Sequence, residues 1–88
     1  MKKIYLIQHN VQNEIVNNRI KALGAWTKYF SDNWLVESDL SAKEIYNKIS
    51  EGFEQQSIFI VEVDLNNYWG RMNTKVWDFI RNHKGRKK

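Results

Sequence analysis

The apolar positions of the chain fall into blocks whose spacing alternates between the period of a strand and that of a helix. Lys3 to Ile7 is β-branched and aromatic without clean alternation, which predicts a central first strand buried on both faces. Val16, Ile20 and Leu23 then recur at i, i+4 and i+7 behind Asn13, a good N-cap, and ahead of Gly24, a helix stop. Ala25 to Phe30 and Trp34 to Glu37 are two strand-like segments separated by Ser31-Asp32-Asn33, whose short polar side chains favour a turn, so they predict a hairpin. Ser41-Ala42-Lys43-Glu44 has the form of a capping box, followed at helical spacing by Ile45, Tyr46, Ile49 and Phe53.

Ser57 to Leu65 alternates Phe59, Val61, Val63 and Leu65 against Ile58, Ile60, Glu62 and Asp64, which predicts a long strand whose second face turns acidic at its end. A loop through Tyr68-Trp69-Gly70 leads to Asn73, placed to cap a short last helix with Val76, Trp77 and Ile80 on one stripe. The order is β-α-β-β-α-β plus a closing helix. This predicts an α+β, ferredoxin-like fold: a four-stranded antiparallel sheet with two helices on one face. The other face then needs a cover, from the closing helix or from a second chain.

With 88 residues the chain has room for one domain, expected over 1–83. Its net charge of +4 is confined to Lys84, Arg86, Lys87 and Lys88; with those four set aside, ten cationic residues face ten acidic ones. The body is neutral, and 84–88 reads as a basic, disordered tail that either touches phosphates or only solubilises the chain. The absence of cysteine excludes disulfides, thiol nucleophiles and cysteine zinc sites, and suits a cytoplasmic location. The apolar run after Met1-Lys2-Lys3 is too short for a secretion signal, and no stretch is long enough for a membrane span.

Candidate chemistry is sparse. His9 falls near the end of the first strand, beside Gln8, where a histidine serves as a general base or a metal ligand. No ligand-spaced partner accompanies it, so a structural histidine is the preferred reading and no metal site is expected. Glu62 and Asp64 share a strand face about 7 Å apart at Cα, a spacing suited to Mg²⁺ but equally to an ordinary solvated strand face. Of the four tryptophans, Trp69, beside Arg71 in a loop, is best placed to meet a partner, although packing beneath the last helix is preferred for it.

Leu23-Gly24-Ala25-Trp26, Trp34-Leu35-Val36-Glu37-Ser38-Asp39-Leu40-Ser41-Ala42, Phe59-Ile60-Val61-Glu62-Val63 and Trp69-Gly70 with Trp77 resemble the small bacterial proteins labelled SinR-family. That group is related to the adaptation subunit of CRISPR systems and to virulence-associated protein D. The resemblance implies a ferredoxin-like homodimer and, in some relatives, a divalent-metal nuclease with an Asp from each subunit at the end of the first strand. Those relatives place Tyr-Asp there. This chain has Ile7-Gln8-His9-Asn10, without the carboxylate that holds Mg²⁺.

The resulting expectation is a non-catalytic homodimeric module of the CRISPR-adaptation-like fold, without cofactor, contacting nucleic acid or a protein through Trp69, Arg71 and the tail cations Lys84, Arg86, Lys87 and Lys88. The alternative is a small toxin-like ribonuclease using His9 or Gln8 at the dimer interface with Glu62 or Asp64. An RNA-recognition-motif reading is weaker, because Trp34 to Glu37 lacks that motif's aromatic-glycine octamer.

Overall fold

A computed structural model describes residues 2–30, 32–65, 69–71 and 74–83. The elements run β1 Lys3–His9, α1 Glu14–Lys21, β2 Trp26–Tyr29, β3 Asn33–Ser38, α2 Ala42–Ser50, β4 Ile58–Val63 and α3 Thr74–His83. The sheet order is β2-β3-β1-β4 with every pairing antiparallel, so β1 and β3 are the inner strands. This is the expected α+β arrangement.

Alternation along β1 divides the interior in two. Tyr5 and Ile7 point with Trp34 and Val36 of β3 into a core closed by Val16 and Ile20 of α1 and by Ile45 and Ile49 of α2. Ile4 and Leu6 point the other way, where Leu35 meets Val76, Phe79 and Ile80 of α3. The closing helix therefore covers the second face, and Phe79 joins Val76 and Ile80 in its buried stripe while Trp77 packs at the margin.

The local signals that start these helices are made in full. Asn13 Oδ1 accepts from the Ile15 amide at 2.8 Å. Ser41 and Glu44 form both bonds of the capping box, at 3.1 and 2.8 Å. The end of α2 is closed from outside the helix: Arg19 donates to the carbonyls of Ile49 at 3.3 Å and Glu51 at 2.7 Å, supplying partners that a helix C-terminus lacks. Asn73, expected to cap α3, lies outside the described residues.

Several boundaries differ from the sequence expectation. β1 continues two residues beyond Ile7, because Gln8 and His9 still pair with Phe59 and Ile58 of β4. β4 ends at Val63, short of Leu65, with Ile4 its last partner on β1. α2 ends at Ser50, leaving Phe53 to pack against the helical core from the following turn. α1 ends at an Ala22 cap, and Gly24 acts one step later as a close-approach residue. A Cβ on Gly24 would stand 2.1 Å from the Glu37 carbonyl oxygen, with backbone on both sides of the contact.

Two predictions follow from this packing. Gly24→Ala drives a methyl into the β3 backbone and is expected to lower the unfolding free energy by about 2 kcal/mol or more, read from urea midpoints. Tyr5 donates its hydroxyl proton to the Leu40 carbonyl at 2.7 Å, and its pKa is raised from 10.0 by burial first and by the Glu62 and Glu44 carboxylates second. Because the folded value exceeds the unfolded one, its stabilisation is complete below pH 10 and is lost as pH rises through the folded value. Tyr5→Phe should cost about 1 kcal/mol at neutral pH and flatten the alkaline loss; an unchanged alkaline limb would assign that loss to other groups.

Candidate functional site

The end of β1 is where the sequence concentrates its candidate chemistry, and two faces of one strand separate the candidates. His9 continues the inward row of Tyr5 and Ile7 and is 7% exposed. Its Nδ1 accepts from the Val11 amide at 3.0 Å, which places the ring proton on Nε2, 2.9 Å from Asn17 Oδ1. Asn17 in turn donates to Glu14 at 3.3 Å. Both ring nitrogens are thus committed, one to the chain leaving β1 and one to α1. The ring is a joint between strand and helix.

Gln8 projects from the opposite face into solvent and donates to Asn33 Oδ1 at 2.6 Å. Asn10 closes the strand end onto β4: its amide donates to the Ser57 carbonyl and its Oδ1 accepts from the Ser57 amide, both at 3.3 Å. Around these residues lies an open cleft of about 640 Å³ lined by Gln8, His9, Asn10, Asp32, Asn33, Gln56, Ser57, Ile58 and Phe59. Asp32 is its sole charged side chain, so the cleft offers amides and hydroxyls and has neither a carboxylate cluster for a hard cation nor cations for a phosphate.

Glu62 and Asp64 do not join this cleft within the chain. Glu62 pairs across from Tyr5, four positions along the strand from the His9–Ile58 pair, a separation of roughly 13 Å. Both carboxylates lie on the solvent side of the sheet margin. No group of three His, Cys, Asp or Glu side chains that could hold a metal ion occurs among the described residues.

Trp69 and Arg71 stand elsewhere, against the α3 face. Trp69 is 100% exposed, so the expectation that it packs beneath the last helix is corrected: Trp77 and Phe79 occupy that place. Trp69 and Arg71 instead rim an apolar groove of about 320 Å³ floored by Leu6, Tyr29, Leu35 and Val63. Lys84, Arg86, Lys87 and Lys88 lie outside the described residues, as does Tyr68.

Two features escaped the sequence reading. Glu37, buried on the α3 side of β3, stands 3.2 Å from His83 Nδ1 at the end of α3. The pair joins residues remote in sequence, and the one available signal was an acidic residue at an inward position of β3. The second is a cleft of about 490 Å³ between β2 and α3, lined on the α3 side by Lys75, Asp78, Asn82 and His83.

No protein-family model, curated protein or solved structure matches the chain. Among the described residues, no helix is long and apolar enough to cross a membrane.

The role of His9 is testable through stability. His9→Ala strips partners from the Val11 amide and from Asn17 and leaves a cavity, and is expected to cost about 2–4 kcal/mol. A urea midpoint within error of the parent chain would show that the ring does not brace the strand end.

Proposed function

We propose that the chain is a non-catalytic homodimeric module of the CRISPR-adaptation-like fold, which contacts a nucleic-acid or protein partner. The observation that carries the non-catalytic half is the commitment of both His9 nitrogens to bonds within the fold, at a strand end that holds Gln8 and Asn10 in place of a carboxylate. A general base needs a free nitrogen within reach of a substrate proton. A metal-dependent hydrolase holds its cation with carboxylates, and the amide oxygens of Gln8 and Asn10 lack that charge.

The dimeric half is supported by the free edge of β4. Ile58–Val63 carries no Pro or Lys, and Glu62 is its sole charge, so it lacks the usual devices that keep an edge strand from pairing. Phe59 on this strand is 58% exposed, and Trp69 and Tyr29 rim or floor the groove on the same α3 face. A second copy pairing β4 with β4 would continue the sheet across a two-fold axis and bring the two Phe59 rings out of water. Phe30, 77% exposed at φ 55, adds an aromatic held in the left-handed region at the hairpin tip, a conformation that persists at some energetic expense.

Light scattering across about 5–200 µM, where dimers of ordinary affinity form, is expected to give twice the 10.6 kDa chain mass. Phe59→Lys, a change at a largely exposed position, is expected to return it to one chain mass. Incubation with RNA, with or without Mg²⁺, should leave it intact. A single-chain mass throughout that range would remove the dimer; RNA cleavage abolished by His9→Ala would replace this reading with the ribonuclease.

A further inference from the structure

Two large aromatic side chains, Phe59 and Trp69, stand on the α3 side of the sheet, and neither is covered within the chain. Phe59, near the start of β4, is 58% exposed and pairs with Gln8 of β1; Trp69 is 100% exposed. Trp69 rims the apolar groove of about 320 Å³, which is also lined by Val63 at the end of β4 and by Leu65 just beyond it. The two aromatics therefore mark opposite ends of one strand whose outer edge has no neighbour in the sheet.

A second copy added antiparallel to that edge across a two-fold axis has few registers to choose from. Directly opposed side chains of an antiparallel pair share a face, so the axis passes through a residue, and the central ones are Ile60, Val61 and Glu62. An axis at Glu62 sets two carboxylates directly against each other, which is destabilising. An axis at Ile60 opposes Phe59 to Val61 and leaves Val63 facing Ser57, outside the strand. An axis at Val61 opposes Phe59 to Val63 twice and Val61 to itself. All three β4 residues on the α3 face then gain apolar partners, and Glu62 lies opposite Ile60.

We infer that β4 pairs with β4 of a second copy about an axis at Val61, and that Phe59 of each copy seats at the mouth of the other's groove, where Trp69 closes over it. Opposed Cβ atoms lie about 4.5–5.5 Å apart and diagonal neighbours about 7–8 Å, both within reach of an aromatic ring. Phe59 set opposite Val63 thus reaches Leu65 and the groove rim that Trp69 shares. The groove is open in one chain, and the second copy supplies its missing wall. The exposed parts of two Phe59 and two Trp69 side chains offer on the order of 600–800 Å² of apolar area. That is about half of the roughly 1,600 Å² that a stable interface buries, and the paired strand edges supply the rest. The inference rests on the β4 pairing proposed above and adds its register and its anchor.

The chain contains no cysteine, so single cysteines report the register on the full chain. Val61→Cys, on the axis, brings two thiols together with Cα atoms about 4.5–5.5 Å apart, inside the disulfide range. Ile60→Cys and Glu62→Cys each place theirs roughly 8 Å apart, beyond it. Each variant is oxidised with diamide at a concentration where light scattering gives the dimer mass, and the covalent dimer is followed on non-reducing gels. Val61→Cys is expected to cross-link at least about tenfold faster than the other two. Trp69→Ala, at a fully exposed position, is expected to weaken the dimer about 30-fold or more, the loss of a buried aromatic anchor. Circular dichroism of each variant separates these effects from loss of fold.

Fast cross-linking at position 61 alone, together with a dimer weakened by Trp69→Ala, supports the interface. Cross-linking of Ile60→Cys or Glu62→Cys as fast as Val61→Cys would overturn it, and so would a dimer whose dissociation constant ignores Trp69→Ala. In both of those cases the chain still has the dimer mass, so the homodimer proposed above stands while this register and anchor fall. A single chain mass at every concentration would remove the homodimer and this interface together.

Discussion

The middle of strand β1, Ile4 to Ile7, is covered on both faces, and most of the structure is arranged around that requirement. Tyr5 and Ile7 are fully buried on one side; Ile4 is buried and Leu6 half-buried on the other. A strand flanked by β3 and β4 has its backbone bonds satisfied, but its side chains need a layer above and a layer below. α1 and α2 form one layer and α3 the other. Losing either exposes half of a core in a chain of this size, where the surplus of burial over chain entropy is small.

The same requirement accounts for the polar residues that hold the layers in place. His9 continues the buried row of β1, so a ring placed there has to satisfy two nitrogens, and Val11 and Asn17 do so. Arg19 ties α1 to the end of α2. Glu37 and His83 meet at the seam between β3 and the last turn of α3. Each of these contacts joins two elements that apolar packing alone would allow to slide.

What was legible in the sequence was local or periodic. The Ser41–Glu44 box lies within one helical turn and needs no knowledge of the rest of the chain. The alternation through Phe59 and Val63 assigned faces to β4 correctly because its period is two wherever the strand sits. His9 illustrates the limit. It lies two residues beyond the apolar run that marked the strand, and its burial depends on pairing with Ile58, supplied from far along the chain. Gly24 shows another: a glycine after a helix reads as a stop, while its contact is with the Glu37 carbonyl across the fold. The cleft between β2 and α3 depends on where α3 crosses β2, which no periodicity encodes.

The strand-end histidine serves the fold, and Trp26, with Lys21 over its ring, lies away from it on the outer strand β2. The claim at the centre of this account is that the His9 ring is locked between Val11 and Asn17, and long-range ¹H–¹⁵N NMR of its imidazole tests it directly. A ring with Nε2 protonated, Nδ1 bare and a slowly exchanging Nε2–H is the predicted result. An Nδ1–H ring, or two nitrogens averaging in fast exchange with solvent, would contradict it and return the strand end to the list of candidate catalytic sites.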